Sequence, residues 1–342
     1  MQAAATPRLS LREGRAIWLA MRRDVEIACL LAASPVRTAL KAGVLFVLLA
    51  GALALAWSSA SLWLSAAAWI ALALLLAQFA FIGHDAGHLS AARSAGGNRA
   101  FGQLCMTLVT GLAFDEWIAR HRAHHRHCQV EAHDPDMAVD AVVSLTEGSR
   151  HAKGPFGRFM TRYQGATIWV LSLLFGHSQR HLSQWVVLRA PQRHPLDALV
   201  LGLHFGLWFA LPCLVLGVPV GAALLAYLVP LTLLGPYLAA IFWVNHIGMP
   251  LVEAPERFSF LEHQAVTSRT VLCAPAWHWV FGGLNFQVEH HLFPKVPSGR
   301  LAQVQAIVRR HFDSHCVDYH AVPWPAACAA VAAHLRAVAR AA

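Results

Sequence analysis

The sequence predicts an all-α integral membrane protein, with four transmembrane helices in two hairpins beneath a cytoplasmic helical cap. Three observations carry that expectation. The 342 residues are 57% hydrophobic and only 13% charged, about half the charged fraction of an ordinary globular chain. Four apolar stretches approach the roughly 20 residues needed to cross about 30 Å of hydrocarbon. No Lys or Arg falls between Ala42 and Ala92 or between His194 and Glu256, the two regions that hold those stretches.

Taken in order, residues 1–41 form a cytoplasmic N-terminal segment. It carries acidic residues and no compact apolar run ending in a cleavage site, so no signal peptide is expected and the first span acts as its own insertion signal. The first hairpin spans 42–57 and 62–83 across "SSAS", and the second spans 198–218 and 219–245 across "GVPVG". Cap segments 84–197 and 246–297 complete a membrane domain of 42–297, and residues 298–342 read as a cytoplasmic helical tail. Shorter apolar runs at 101–114, 167–175 and 271–284 are expected to lie in the interface or to cap a buried cavity, with Trp117, Trp169, Trp185, Trp277 and Trp279 at headgroup depth. All 27 Lys and Arg lie in three segments separated by even numbers of crossings. The positive-inside rule therefore puts both termini and both cap segments in the cytoplasm. Seven scattered cysteines without a C-x-x-C pair fit a reduced compartment and suggest neither a disulfide framework nor an iron–sulfur site.

Histidine is the second anomaly: 21 His outnumber 18 acidic residues, and metal binding is the usual reason for such a surplus. His84 and His88 stand at i and i+4 at the end of the second span, on one helical face. His121, His124 and His125 repeat that pattern in "RHRAHHRH", and "QVEHH" places Gln287 one turn before His290 and His291. The topology puts all three clusters on the cytoplasmic side, together with His246 at the end of the fourth span. Eight imidazoles exceed the four or so ligands of one zinc, so the cap is expected to hold a di-metal site. Imidazole suits iron, copper, zinc and nickel alike. The lack of an H-E-x-x-H motif argues against a zinc protease and favours redox chemistry over hydrolysis.

The clusters "HDAGH" (84–88), "HRAHH" (121–125) and "QVEHH" (287–291) resemble the three boxes of the membrane fatty acid desaturases. "GGLNFQVEHHLFPKVP" (282–297) is similar to the acyl-lipid, front-end type, as is "HDPD" at 133–136. The resemblance covers roughly residues 40–310. It implies a non-haem di-iron centre that uses O2 as co-substrate to introduce a C=C bond into a lipid acyl chain. The implied iron ligands are His84, His88, His121, His124, His125, His290 and His291, with His246 as a further ligand, direct or through water. Gln287 stands where other members carry a ligand; its own role, as ligand or as neighbour of the metal, is open.

Asp85, Glu289, Asn245 and Asp134, with Asp115, Glu116 and Asp136, are candidates to orient the imidazoles or to balance charge. An apolar tunnel closed to water is expected to hold the acyl chain. No H-P-G-G haem motif is present, so no haem or flavin is expected. Electrons are expected from a separate donor of ferredoxin, flavodoxin or cytochrome b5 type, drawn to a net charge of +9 that would attract anionic lipid headgroups equally. Nothing suggests nucleic acid as a partner, and the sequence is silent on oligomeric state. The nearest alternatives are a hydroxylase, a ketolase or a sphingoid or carotenoid desaturase on the same scaffold. A metal transporter or a haem electron carrier is more remote, because ionisable residues are almost absent from the spans.

Overall fold

The computed structural model describes residues 4–138 and 142–341. Its four longest apolar helices, Pro35–Ser58, Leu62–Gly87, Pro195–Val215 and Val220–His246, are each long enough to cross a membrane. They match the four expected spans and differ at the ends. The first starts at Pro35 because proline's fixed φ suits the first helical turn, which brings Arg37 and Lys41 onto the helix. The second runs on to Gly87 and so carries His84 within it. The third is α-helical over Pro195–Phe205 and then widens to a π-helix over Gly206–Val215, with Pro212 inside.

The chain forms two compact units. One consists of Ala33–Ala119 and Leu171–Leu238, and the other of the residues up to Ala32, Arg120–Val170 and those from Ala239 onward.

In the first unit, the opening hairpin closes along Ala42, Leu45 and Leu49 on one helix and Ala68, Leu72, Leu76 and Phe79 on the next, all buried. Steps of three or four residues make one continuous seam on each helix. Phe46 meets Phe79 across it with ring centroids 4.8 Å apart, while Val44, Val47 and Trp63 are left exposed, as residues facing lipid should be. The apolar run expected at 101–114 folds inward as a π-helix over Gln103–Thr110, ended by left-handed Gly111, and most of it is buried. It packs against the helices Leu62–Gly87 and Pro195–Phe205.

The second unit is held by a core that draws on both ends of the chain. The helix Leu11–Ile27 offers Ile17, Met21 and Val25, and the helix Leu301–Ser314 offers Leu301, Val304, Val308 and Phe312. These pack with Val288 and Leu292. The tail expected as one helix is two, Leu301–Ser314 and Trp324–Arg340. Between them Cys316 turns left-handed and Ala321–Pro323 runs as a short strand, parallel to Thr270–Leu272. This three-residue ladder is a departure from an all-helical chain, and it occupies the start of the run at 271–284. Trp185, Trp277 and Trp279 are exposed.

Candidate metal centre

The helix Phe114–His127 carries the second histidine cluster, and its first turn is anchored inside the first unit. Asp197, fully buried, accepts the backbone N–H groups of Asp115 and Glu116 and the Gln103 side-chain amide. A carboxylate at a helix N-terminus satisfies orphan donors and complements the helix dipole. Gly87 lets that helix approach, since a Cβ there would lie 2.5 Å from Ile118 Cδ1. In the same unit His84 and His88 are buried with rings 4.8 Å apart. Asp85 lies 3.8 Å from His84 Nδ1, and Asp115 pairs with Arg99.

The second unit gathers the other six candidate histidines. His125 Nε2 lies 3.1 Å from His121 Nε2 and 3.1 Å from His290 Nε2. Nitrogen facing nitrogen at that separation fits donors sharing an ion: metal–nitrogen bonds of about 2.1 Å at about 95° place two nitrogens about 3.1 Å apart. A second set, His124, Cys128, His246 and His291, has one donor atom from each residue within 4.8 Å of all the others. Its ring centroids lie 4.8 Å apart for His124–His246 and for His246–His291, and 5.3 Å for His124–His291. The donor chemistry therefore fits metal ions.

Hydrogen bonds to groups that can only accept assign the tautomers. His124 Nδ1 donates to Asp134 Oδ1 at 2.9 Å, while Asp134 Oδ2 accepts the Gln129 backbone N–H; Asp136 Oδ2 lies 3.4 Å from the same ring nitrogen. His291 Nδ1 donates to Gln264 Oε1 at 2.7 Å, and Gln264 in turn donates to the His125 carbonyl. His124 and His291 thus carry a proton on Nδ1, which leaves Nε2 as the nitrogen a metal would take on displacing any proton there, the usual way a protein orients metal-binding imidazoles. His246 Nδ1 donates to the Thr267 carbonyl at 3.0 Å, and Gln287 donates its amide to His246 Nε2 at 2.9 Å while accepting from Asn245. Arg269 fixes the end of that span, holding the Val244 and Ile247 carbonyls through its guanidinium and the Asn245 carbonyl through its N–H.

The third cluster rides on Gln287–Leu292, a helix too short to persist alone. Packing and capping hold it: all six residues are buried, and Trp18 Nε1 caps the Leu292 carbonyl. The preceding turn needs glycine, because Gly283 has φ +80 and a Cβ there would meet the Ser298 carbonyl at 2.4 Å. Glu289 sits apart from the rings, accepting from Thr270 and Tyr319. Burial pushes its carboxyl above the usual range, partly opposed by Tyr319.

Electrostatics in the second set favour separated charge. Burial would lower the His124 pKa, but Cys128, Asp136 and Asp134 outweigh it and raise the ring well above the ordinary histidine value. Burial would raise the Cys128 thiol, but His246 and His124 bring it to about 7. Cys128, Gln264, Thr267 and Arg269 are absent from the sequence-based site. Cys128 had a signal, one turn after His124 on the same face; the other three come from a segment with no motif of its own.

The fatty acid desaturase family model matches residues 61–323. A Delta(8)-fatty-acid desaturase of Borago officinalis is 30% identical over 72% of this chain and 57% of its own length. Delta(8)-fatty-acid desaturase 1 of Arabidopsis thaliana is 30% identical over 73% of this chain and 58% of its own. An acyl-lipid (8-3)-desaturase of Rebecca salina is 28% identical over 69% and 55%. The chain spans a little over half the length of these curated relatives.

Proposed function

This chain belongs to the membrane fatty acid desaturase family, and from that premise we propose that it is an O2-dependent desaturase of lipid acyl chains. The observation that carries the reading is the set of facing imidazole nitrogens at His121, His125 and His290, whose spacing fits donors to a shared cation. We assign the ligands of two iron ions to His84, His88, His121, His124, His125, His246, His290 and His291. His84 and His88 enter on box spacing, and His246 binds directly or through water. Iron bound there would supply, with O2, two electrons and two protons, the power to take one hydrogen from each of two adjacent methylenes, leaving C=C and two waters.

The protein's own residues hold the rings ready for that task. Asp134 and Gln264 keep the Nδ1 protons of His124 and His291, so neither ring must reorient to bind. Gln287 holds His246 Nε2 and so fixes the orientation of that ring. Val288, Leu292 and the core behind them keep water from one side of the third cluster, and an apolar tunnel is assigned to the substrate chain.

The division into an N-terminal segment to residue 41, a membrane domain of 42–297 and a tail from 298 is carried forward in this reading. So is an orientation with both termini and the metal centre in the cytoplasm, on the cation distribution. A separate ferredoxin, flavodoxin or cytochrome b5 type donor would dock on the cationic side.

The test is expression in a host lacking unsaturated chains, followed by gas chromatography of its fatty acids. New alkenes that depend on iron and O2 are expected. Hydroxylated or keto product without alkene overturns the assignment, as does purified protein holding one zinc and no iron after growth in iron-replete medium.

A further inference from the structure

We propose that Cys128 supplies a thiolate to one of the two metal positions, so that the ion held by His124, His246 and His291 has a sulfur donor while its neighbour is bound by nitrogen. The inference rests on the metal-centre reading above and adds a ligand that the histidine pattern does not contain.

Position comes first. Cys128 follows the last residue of the helix Phe114–His127 and stands four residues after His124, so its side chain falls on the face that carries that ring. It is fully buried. A buried cysteine is ordinarily a small apolar filler among hydrocarbon side chains. Here the surroundings are polar: Sγ lies 3.3 Å from His246 Nδ1 and 3.9 Å from the Thr267 carbonyl, and it shares the cluster with His124 and His291.

The spacing is that of ligands on one ion. Bonds of about 2.3 Å to sulfur and 2.1 Å to nitrogen place the two donors about 3.1 Å apart at a right angle and about 3.6 Å apart in a tetrahedron. The observed 3.3 Å falls between these values. Binding through His246 Nδ1 would exchange the Thr267 contact for the metal and move the ring proton to Nε2, where the Gln287 amide accepts it after a flip. The thiol proton leaves to water as the metal–sulfur bond forms, with no change in oxidation state. Three neutral imidazoles and one thiolate leave a divalent ion with a single net positive charge.

The test uses the full chain in lipid nanodiscs, loaded separately with Fe(II) and Co(II), with X-ray absorption and near-ultraviolet spectra as readouts that do not depend on turnover. Wild type is expected to show a sulfur scatterer at about 2.3 Å and a thiolate-to-cobalt charge-transfer band. Both should vanish in Cys128→Ser, with one of the two ions held at least tenfold more weakly. Two bound ions with only nitrogen and oxygen scatterers in wild type would overturn the proposal and leave the histidine centre standing. A band that survives in Cys128→Ser would also overturn it, by assigning the sulfur to another cysteine. Wild type that takes up no metal would overturn the histidine centre as well. If the serine variant fails to accumulate, the wild-type spectra still decide.

Discussion

A buried lone histidine and a histidine cluster in this protein differ in what their ring nitrogens face. In the unit that holds most of the spans, His204 is fully buried, with Nδ1 on the Leu108 carbonyl at 2.8 Å and Nε2 on the Tyr227 hydroxyl at 2.9 Å. The same tyrosine ring lies under the Arg180 guanidinium at 4.0 Å. Each nitrogen of His204 has a protein group of matching role, so the ring is a structural element. In the other unit, His125 Nε2 faces His121 Nε2 and His290 Nε2 at 3.1 Å each, contacts between like groups that either a ring N–H or a shared cation can bridge. Burial alone does not separate a structural histidine from a candidate metal ligand; the chemistry of the neighbours is the better guide.

That contrast can be broken in four ways, in descending size of effect. Replacing His125 with Ala should abolish desaturation and remove metal while the spans still insert, checked by metal analysis and product chromatography. A variant that keeps both irons and its activity would erase the distinction. Asp134→Asn keeps the shape but weakens the grip on His124 Nδ1, so iron affinity should fall by about 10- to 100-fold, measured by chelator competition. His204→Ala should do the reverse. It leaves buried polar groups on Leu108 and Tyr227 without their partner, costing about 1–3 kcal/mol in thermal melts of the detergent-solubilised protein, with two irons retained.

The smallest effect concerns Glu289, outside both clusters. Its folded-state carboxyl is raised by burial, so the protonated form is favoured on folding. Its contribution to stability is fully present below the unfolded value near 4.5 and is lost as pH rises through the folded value. Glu289→Gln should therefore flatten the decline in melting temperature above about pH 4.5. An unchanged slope would place that dependence elsewhere.

How much of this was legible beforehand follows from the range of the forces involved. The spans were readable because a bilayer imposes length and apolarity on consecutive residues; their ends were not, since Pro35 and Gly87 are set by local capping and close packing. The box histidines were readable because helical periodicity puts them on one face. The groups that orient them were less so. Asp134 is close in sequence to His124 and was a candidate, whereas Gln264 reaches His291 and Thr267 reaches His246 from a segment without internal pattern. Glu289 looked like a partner for its neighbouring histidines by sequence, yet on this one-turn helix its carboxylate points to Thr270 and Tyr319. The tail was expected as one helix because its periodicity resumes after the interruption at Cys316, with Pro323 as the visible break.

The helix Gln287–Leu292 has a consequence for biogenesis. It has six residues, and the surface it leans on comes from Leu11–Ile27 at one terminus and Leu301–Ser314 at the other. While the ribosome is still making the C-terminal stretch, the third histidine pair lacks the wall that would keep it helical. Ordering of that pair is therefore expected to follow synthesis of Leu301–Ser314, and deletion of that helix should leave a membrane-inserted polypeptide whose third histidine pair is not held in place.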